Sequence, residues 1–337
     1  MVSQSTPEVK GVTAVVLVTH STRQGGATIG NIHMPAKTYT LNRRPLLSAN
    51  ERPAERVLQE VGERHGFRIF PQVKLSQVIH DLPPGLTNRE WNYATRATFD
   101  FVVCHAETLI PDFAVELDDG THWQASVRQR DRMKDTICER AGFELLRIEA
   151  QHLVEGPLGR RLLEYLIDAR DYCRNIYDLQ QQGSLPWDEI FDYRLVADGM
   201  SDGHINYVND LTGPTIRAVR AAYERGLLSE CIVHTLSFDW SSGWSEAWAW
   251  IKVRDALFLF ASTRVRSYSM FFCSISPDDL AADLSTAVIG AQVVADKQNE
   301  PALVTAEAIG DKWAHLRARR QYLRDPEFLD HLHWGGR

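Results

Sequence analysis

The sequence predicts an α/β protein: a mixed sheet flanked by helices, followed by a second domain of α+β type. Three observations predict it. Between Ser48 and Tyr177 the apolar pattern changes period in the order helix, strand, strand, strand, helix, strand, helix. The stretch Gln180–Pro186, reading Gln-Gln-Gln-Gly-Ser-Leu-Pro, breaks any periodicity. A chain of 337 residues is also longer than one ordinary domain. The expected division is residues 1–180, with a core at about 46–178, and residues 187–337.

Each element has a local reason. Val12–Thr19 is a strand-sized apolar run, and the Gly-rich stretch Ser21–Lys37 reads as a loop. Ser48 with Glu51 three residues on forms a capping-box pattern, Val57, Leu58 and Val61 give the helix an apolar face, and Gly66 ends it. Phe67–Leu75 reads as a strand, and Asp81–Thr87 as a Pro/Gly loop. Ala97–Cys104 places Phe99, Phe101 and Val103 on one face and Asp100 on the other. Pro111–Asp118 places Phe113, Val115 and Leu117 on one face, with Glu116 and Asp118 opposite. After the Asp119-Gly120 turn, Gln124–Ala141 reads as a helix with Gly142 at its left-handed C-terminal cap. Phe143–Ile148 then reads as a strand and Leu158–Tyr177 as a helix.

In the second part, Pro214–Leu227 reads as a helix. Ala247–Val253 and Ala256–Ala261 read as strands around an Arg254-Asp255 turn, and Tyr268–Ile275 as a further strand. Ser276-Pro277-Asp278-Asp279 opens a helix, with proline and acids in its first turn, and Glu307–Leu323 is helical. Trp240, Trp244, Trp248 and Trp250 crowd one region, as expected of a core or of an interface with a protein partner or a second copy of the chain.

Composition narrows the functional classes. The hydrophobic and charged fractions, 44% and 24%, are those of a globular protein rather than a disordered one. No apolar run approaches the roughly 20 residues of a membrane span, so no membrane association is expected. Five cysteines without a Cys-x-x-Cys pair fit a reducing, cytoplasmic setting better than a disulfide framework or a thiolate zinc site. The net charge of −7 is unevenly spread: residues 1–100 carry twelve Lys/Arg against eight Asp/Glu, whereas residues 101–200 carry eleven against nineteen. An acidic centre beside a basic flank suits a metal site next to a phosphate-binding surface, and equally an ordinary uneven surface. There is no Walker A motif and no Gly-x-Ser-x-Gly elbow.

The chemistry-bearing candidates are Asp100, Glu116 and Asp118. On neighbouring strands the three carboxylates converge on one polar side of the sheet, where crowding is costly unless a cation neutralises them. Hard oxygen donors favour Mg²⁺ or Mn²⁺. The alternative is an acidic strand end in solvent. Asp131, Lys134 and Asp135 share a helix face at i, i+3 and i+4, either as part of a site or as a solvated ion-paired face. Arg128, Arg130, Arg132 and Lys134 form a basic cluster that either tracks a nucleic-acid backbone or is simply solvated.

The segment from Leu46 to Ile148 resembles the PD-(D/E)xK nuclease superfamily, in the branch of very-short-patch-repair-like endonucleases and related bacterial domains. The matching residues are Leu46-Leu47-Ser48-x-x-Glu51, Gln72-Val73-Lys74-Leu75, Phe99-Asp100-Phe101 and Val115-Glu116-Leu117-Asp118-Asp119-Gly120-x-His122. They continue as Arg130-Asp131-x-x-Lys134-Asp135 and Ala141-Gly142-Phe143-x-Leu145-Leu146-Arg147-Ile148. The resemblance covers about a third of the chain and implies a restriction-endonuclease-like sheet. It further implies a Mg²⁺- or Mn²⁺-dependent hydrolase of nucleic acid, above all a DNA endonuclease or nickase in defence, restriction or repair.

Residue by residue, it implies that Asp100 and Glu116 ligate the metal. Asp118 stands where the superfamily most often has lysine, and there it assists as a ligand or orients water. Lys134 is the substitute cation, His122 contacts water or phosphate, and Glu51 is the helical acidic residue, in competition with its capping-box reading. Arg128, Arg130, Arg132 and Arg147 are the expected nucleic-acid contacts, with Arg147 pairing either with a phosphate or with the carboxylates. Residues 187–337 would serve recognition, regulation or assembly. The competing expectation is the same fold without catalysis, as a nucleic-acid-binding or protein-interaction subunit.

Overall fold

A computed structural model of the chain describes residues 47–49, 51–80, 83–118, 125–156, 161–189, 191–201, 204–268, 270–295 and 302–332. The strand expected at Val12–Thr19, the loop at Ser21–Lys37 and the residue His122 lie outside them. Ala49–Arg337 forms a compact unit. The fold class is mixed α/β: a four-stranded mixed sheet with helices, then a separate antiparallel sheet packed with helices.

The first sheet is built from α1 (Glu51–His65), β1 (Phe67–Lys74), the short α2 (Leu75–Val78), α3 (Asn88–Ala94), β2 (Thr98–His105), β3 (Pro111–Asp118), α4 (Ala125–Ala141), β4 (Glu144–Glu149) and α5 (Leu162–Gln181). Its strand order is β1-β2-β3-β4. The first two pairings are antiparallel and β3–β4 is parallel. Parallel neighbours need a crossover, and α4 supplies it, which brings this helix back across the sheet from β3 to β4. Gly66 and Gly142, at φ +69° and +62°, end α1 and α4 in the left-handed conformation that a side chain disfavours.

Helix α1 starts at Glu51, which occupies its first turn. The sequence reading passed over α3. Thr87 caps it and Glu90 closes a true capping box, the Glu90 carboxylate accepting from the Thr87 N–H at 2.8 Å.

The second half comprises the β5 (Leu195–Ser201) and β6 (His204–Asn209) hairpin, α6 (Gly213–Glu224), β7 (His234–Trp240), β8 (Trp244–Arg254), β9 (Leu257–Arg266), α7 (Pro277–Val294), β10 (Val304–Thr305) and α8 (Ala306–Ala318). Its main sheet runs β10-β9-β8-β7. Period-two alternation along β8 splits the core. Trp248 turns to a cluster with Phe238, Trp313 and Leu316, while Ala249 and Ile251 turn to one with Val219, Leu259 and Ile289. The tryptophan cluster is therefore core at Trp248, with Trp240 and Trp250 packed against it.

The strand expected at Tyr268–Ile275 is absent. The chain turns there instead, because its backbone N–H groups have a side-chain acceptor: Phe271 and Phe272 both donate to the buried Glu144 carboxylate at the start of β4. Glu144 is held in turn by Arg170 of α5, which also forks onto Asp112 at 2.9 and 3.0 Å. This ionic knot ties the turn to the first sheet.

Gly290 marks the tightest helix contact. A Cβ there would fall 2.2 Å from Thr215 Oγ1 and 2.9 Å from its Cβ, on the facing α6. Gly290→Ala should therefore destabilise the protein by about 1–3 kcal/mol through overpacking. Thr215→Ala in the same chain should restore part of the loss, both being read from chemical denaturation midpoints.

Candidate functional site

The site forms where the first sheet opens. β1 stays paired with β2 down to Lys74↔Thr98, and β3 stays paired with β4 up to Asp118↔Glu149. Between β2 and β3, however, the pairing ends at Phe101↔Val115. Beyond that point two carboxylates stand in for ladder acceptors. The Asp100 N–H donates to Glu116 Oε1 at 3.2 Å, and the Leu117 N–H donates to Asp100 Oδ2 at 2.9 Å. The strands' own backbone thus locks Asp100 and Glu116 side by side.

Both carboxylates are pushed above their ordinary range. Burial is the main cause for each; Glu51 adds to the effect at Asp100, and Asp100 adds to it at Glu116. The opposing group is Lys134. From the middle of α4, its Nζ lies 2.6 Å from Glu116 Oε2 and donates to the Thr98 carbonyl at 2.7 Å. It also sits 5.4 Å over the Phe99 ring. An ammonium thus reaches the carboxylate pair from the crossover helix.

Gln72 completes this group, and the sequence reading gave it no role. It sits in β1 at φ +54°, a strained position for a side chain other than glycine, and drops out of the β1–β2 register between Pro71 and Val73. Its amide donates to Glu51 Oε1 at 2.6 Å and reaches Asp100 Oδ1 at 3.4 Å. Glu51 therefore does join the site, through Gln72. The recognisable signal was a proline inside a strand, directly before Gln72. Tyr93 of α3 also stands close: burial first, and then the Glu116 charge, hold its phenol in the protonated form.

Asp118 does not join this group. Its side chain is 2% exposed and lies between two guanidinium groups, 3.5 Å from Arg147 Nη1 and 2.9 Å from Arg266 Nε. Asp131 lies 3.7 Å from each of the same two arginines. Asp135 takes Arg147 at 2.9 Å. The expectation of Asp118 as a ligand is thus corrected: its charge is already matched by two buried arginines. Arg147 takes the second of its two expected pairings, with the carboxylates. It is 3% exposed, and although burial opposes its charge, Asp135, Glu116, Asp118 and Asp131 hold its pKa above the ordinary value. A phosphate has no access to it. Arg266 comes from β9 of the second sheet, some 120 residues further along the chain, and nothing local in the sequence marked it.

The helix face Asp131/Lys134/Asp135 is accordingly not a solvated one: Asp131 and Lys134 are buried and serve different carboxylate or guanidinium groups. Arg130 and Arg132, in contrast, are exposed on α4. The side chain of Arg128 lies outside the described residues.

Among the described residues no group of three or more His, Cys, Asp or Glu side chains is assembled as a metal cluster. The donor chemistry at Asp100 and Glu116 nonetheless suits one class of ion. Mg²⁺ keeps several of its waters and is held through one or two carboxylates. No helix among the described residues is long and apolar enough to cross a membrane.

Residues 43–161 match the family model described as "Protein of unknown function (DUF2726)". The match runs from the approach to α1 through β4 and includes Glu51, Gln72, Asp100, Glu116 and Lys134. No curated protein and no solved structure matches the chain.

Two outcomes follow from the geometry. Asp118→Lys would place a third buried cation beside Arg147 and Arg266, at a cost of about 3–5 kcal/mol or more, and should yield an unfolded or insoluble chain by circular dichroism. Asp100→Asn should do the reverse. Because the folded-state pKa of Asp100 is raised, the folded protein binds this proton better than the unfolded chain, and its contribution is lost as pH rises. Without metal, Asp100→Asn should unfold at a higher temperature than wild type at neutral pH, and the difference should shrink as the pH falls through the carboxylate range.

Proposed function

We propose that the chain is a Mg²⁺- or Mn²⁺-dependent phosphodiesterase of nucleic acid, a DNA endonuclease or nickase, related to the PD-(D/E)xK nucleases. The observation that carries this reading is the Lys134 ammonium, 2.6 Å from Glu116 beside Asp100 at the opened β2–β3 ladder. The superfamily pattern that the sequence resembles needs two acids and a lysine. Here the strand position lacks the lysine, and the crossover helix presents one to the same carboxylates.

In this reading Asp100 and Glu116 hold the cation, whose bound form lowers the pKa of a water and offsets charge growing on the phosphate. Proton and charge handling fall to this chain's own groups. Lys134 Nζ, 2.6 Å from Glu116, would donate to a non-bridging phosphate oxygen. Its positive charge matters most in the transition state, where the phosphate is most negative. Gln72 keeps the Asp100 carboxylate oriented through its amide, and Glu51 keeps Gln72 in place. Exposed Arg130 and Arg132 on α4 are suited to backbone phosphates. Their exposure also favours a second reading, nucleic-acid binding without cleavage, in a defence or repair assembly.

The test is a cleavage assay on single-stranded, nicked, linear and supercoiled DNA and on RNA, without metal and with Mg²⁺ or Mn²⁺. Metal-dependent cutting is expected from wild type. Asp100→Ala and Glu116→Ala should abolish it, and Lys134→Met should lower the rate roughly 10²–10³-fold. Equal cutting by the wild type and the three variants would refute the assignment. Metal-enhanced binding without cutting, lost in Arg130→Ala/Arg132→Ala, would select the second reading.

A further inference from the structure

A cavity of about 360 Å³ lies away from the carboxylate site, between the C-terminal half of α5, the segment around Trp187–Phe191 and the Phe271–Ser274 turn. Its volume falls within the range of small-ligand pockets. Tyr177, Trp187, Phe191, Phe271 and Phe272 line it, and Glu189 is its carboxylate; no Lys, Arg or His is among the lining residues. Three of these rings are unusually open for their size: Trp187 is 61% exposed, Phe271 60% and Tyr177 42%.

The rings do not stack on one another. Tyr177 meets Trp187 at 5.9 Å and 82°, and Phe272 at 5.6 Å and 63°. Edge-to-face contacts leave no parallel pair here to hold a flat base, whereas a cation needs only an open ring face. The wall formed by Phe271 and Phe272 is fixed in advance, because both backbone N–H groups are bound by Glu144. Preorganisation of this kind lowers the cost of binding. The same ring of Phe272 already lies 5.9 Å from a cation of the protein, the Arg170 guanidinium. That charge is matched by Asp112 and Glu144, so it leaves little positive field to repel a second cation.

We propose that this aromatic box is a binding site for a small organic cation of quaternary ammonium type, with its methyl groups against the rings and Glu189 offsetting its charge. The assignment is independent of the nuclease reading. It predicts no sequence or strand preference and no role for Asp100 or Glu116.

Titration calorimetry on the full chain tests it, using tetramethylammonium and choline as probes, with the neutral isostere 3,3-dimethylbutanol and adenosine as controls. Both cations should bind at millimolar concentration or below, with the isostere at least fivefold weaker. Trp187→Ala and Tyr177→Ala should each weaken choline at least fivefold. Glu189→Gln should also weaken it and should flatten its salt dependence. Trp187 is exposed on a loop, so its variant keeps the fold. Three results would overturn the proposal: no heat with either cation, equal binding of the neutral isostere or of adenosine, or binding of a trimethyl-lysine peptide without binding of free choline.

Discussion

Everything at the polar end of the first sheet depends on how buried negative charge is neutralised. Glu116, Asp118 and Asp131 are all buried, and a buried carboxylate without a partner costs several kcal/mol. Three cations meet them from three elements: Lys134 from α4, Arg147 from β4 and Arg266 from β9. How the acids are shared among these cations sets them apart. Glu116 has the Lys134 ammonium at 2.6 Å and the Arg147 guanidinium at 4.0 Å. Asp118 has two guanidinium groups, each with other carboxylates to hold it in place. The second arrangement is a fastening.

That fastening also connects the two halves of the molecule. Arg266 ends β9, and its contacts with Asp118 and Asp131 draw the second sheet against α4. Glu144 and Arg170 make a second connection at the other end of the β3–β4 pair, holding the turn at Phe271–Phe272. Each connection is a desolvated ionic group with several partners, so its geometry is specified more tightly than apolar contact alone would achieve. The Phe271–Phe272 turn and the placing of the second sheet against α4 thus both come from ionic contacts with the first half.

Much of the first sheet was legible in the chain. The span Pro111–Asp118 was recognisable as a strand from its alternation, and Gln124–Ala141 as a helix closed by Gly142, against an observed Ala125–Ala141. The second half was less legible for physical reasons. β7 alternates Leu236, Phe238 and Trp240 with Thr235, Ser237 and Asp239, and its apolar face packs against Trp248 of β8. Tyr268–Ile275 has a strand's composition without a strand's partner, and a carboxylate distant in sequence took its N–H groups. Propensity states what a segment tolerates, and the ladder decides whether it pairs.

The sequence by itself determined that Asp100 and Glu116 lie on strands, that Glu116 and Asp118 share a face, and that Lys134 rides on the helix that follows. These are consequences of period two and period 3.6, both local in the chain. Only the tertiary structure decided that the two strands are neighbours and which cations each acid meets. Glu116 and Asp118 are equivalent by alternation. They differ because the β2–β3 ladder opens beside Glu116, and because Arg266, from another sheet, reaches Asp118 but not Glu116. Gln72 likewise reaches Asp100 only because β1 tolerates a positive φ at that residue. Pairings of this sort join residues with no fixed spacing, and electrostatics in a desolvated space selects them only after the chain has folded.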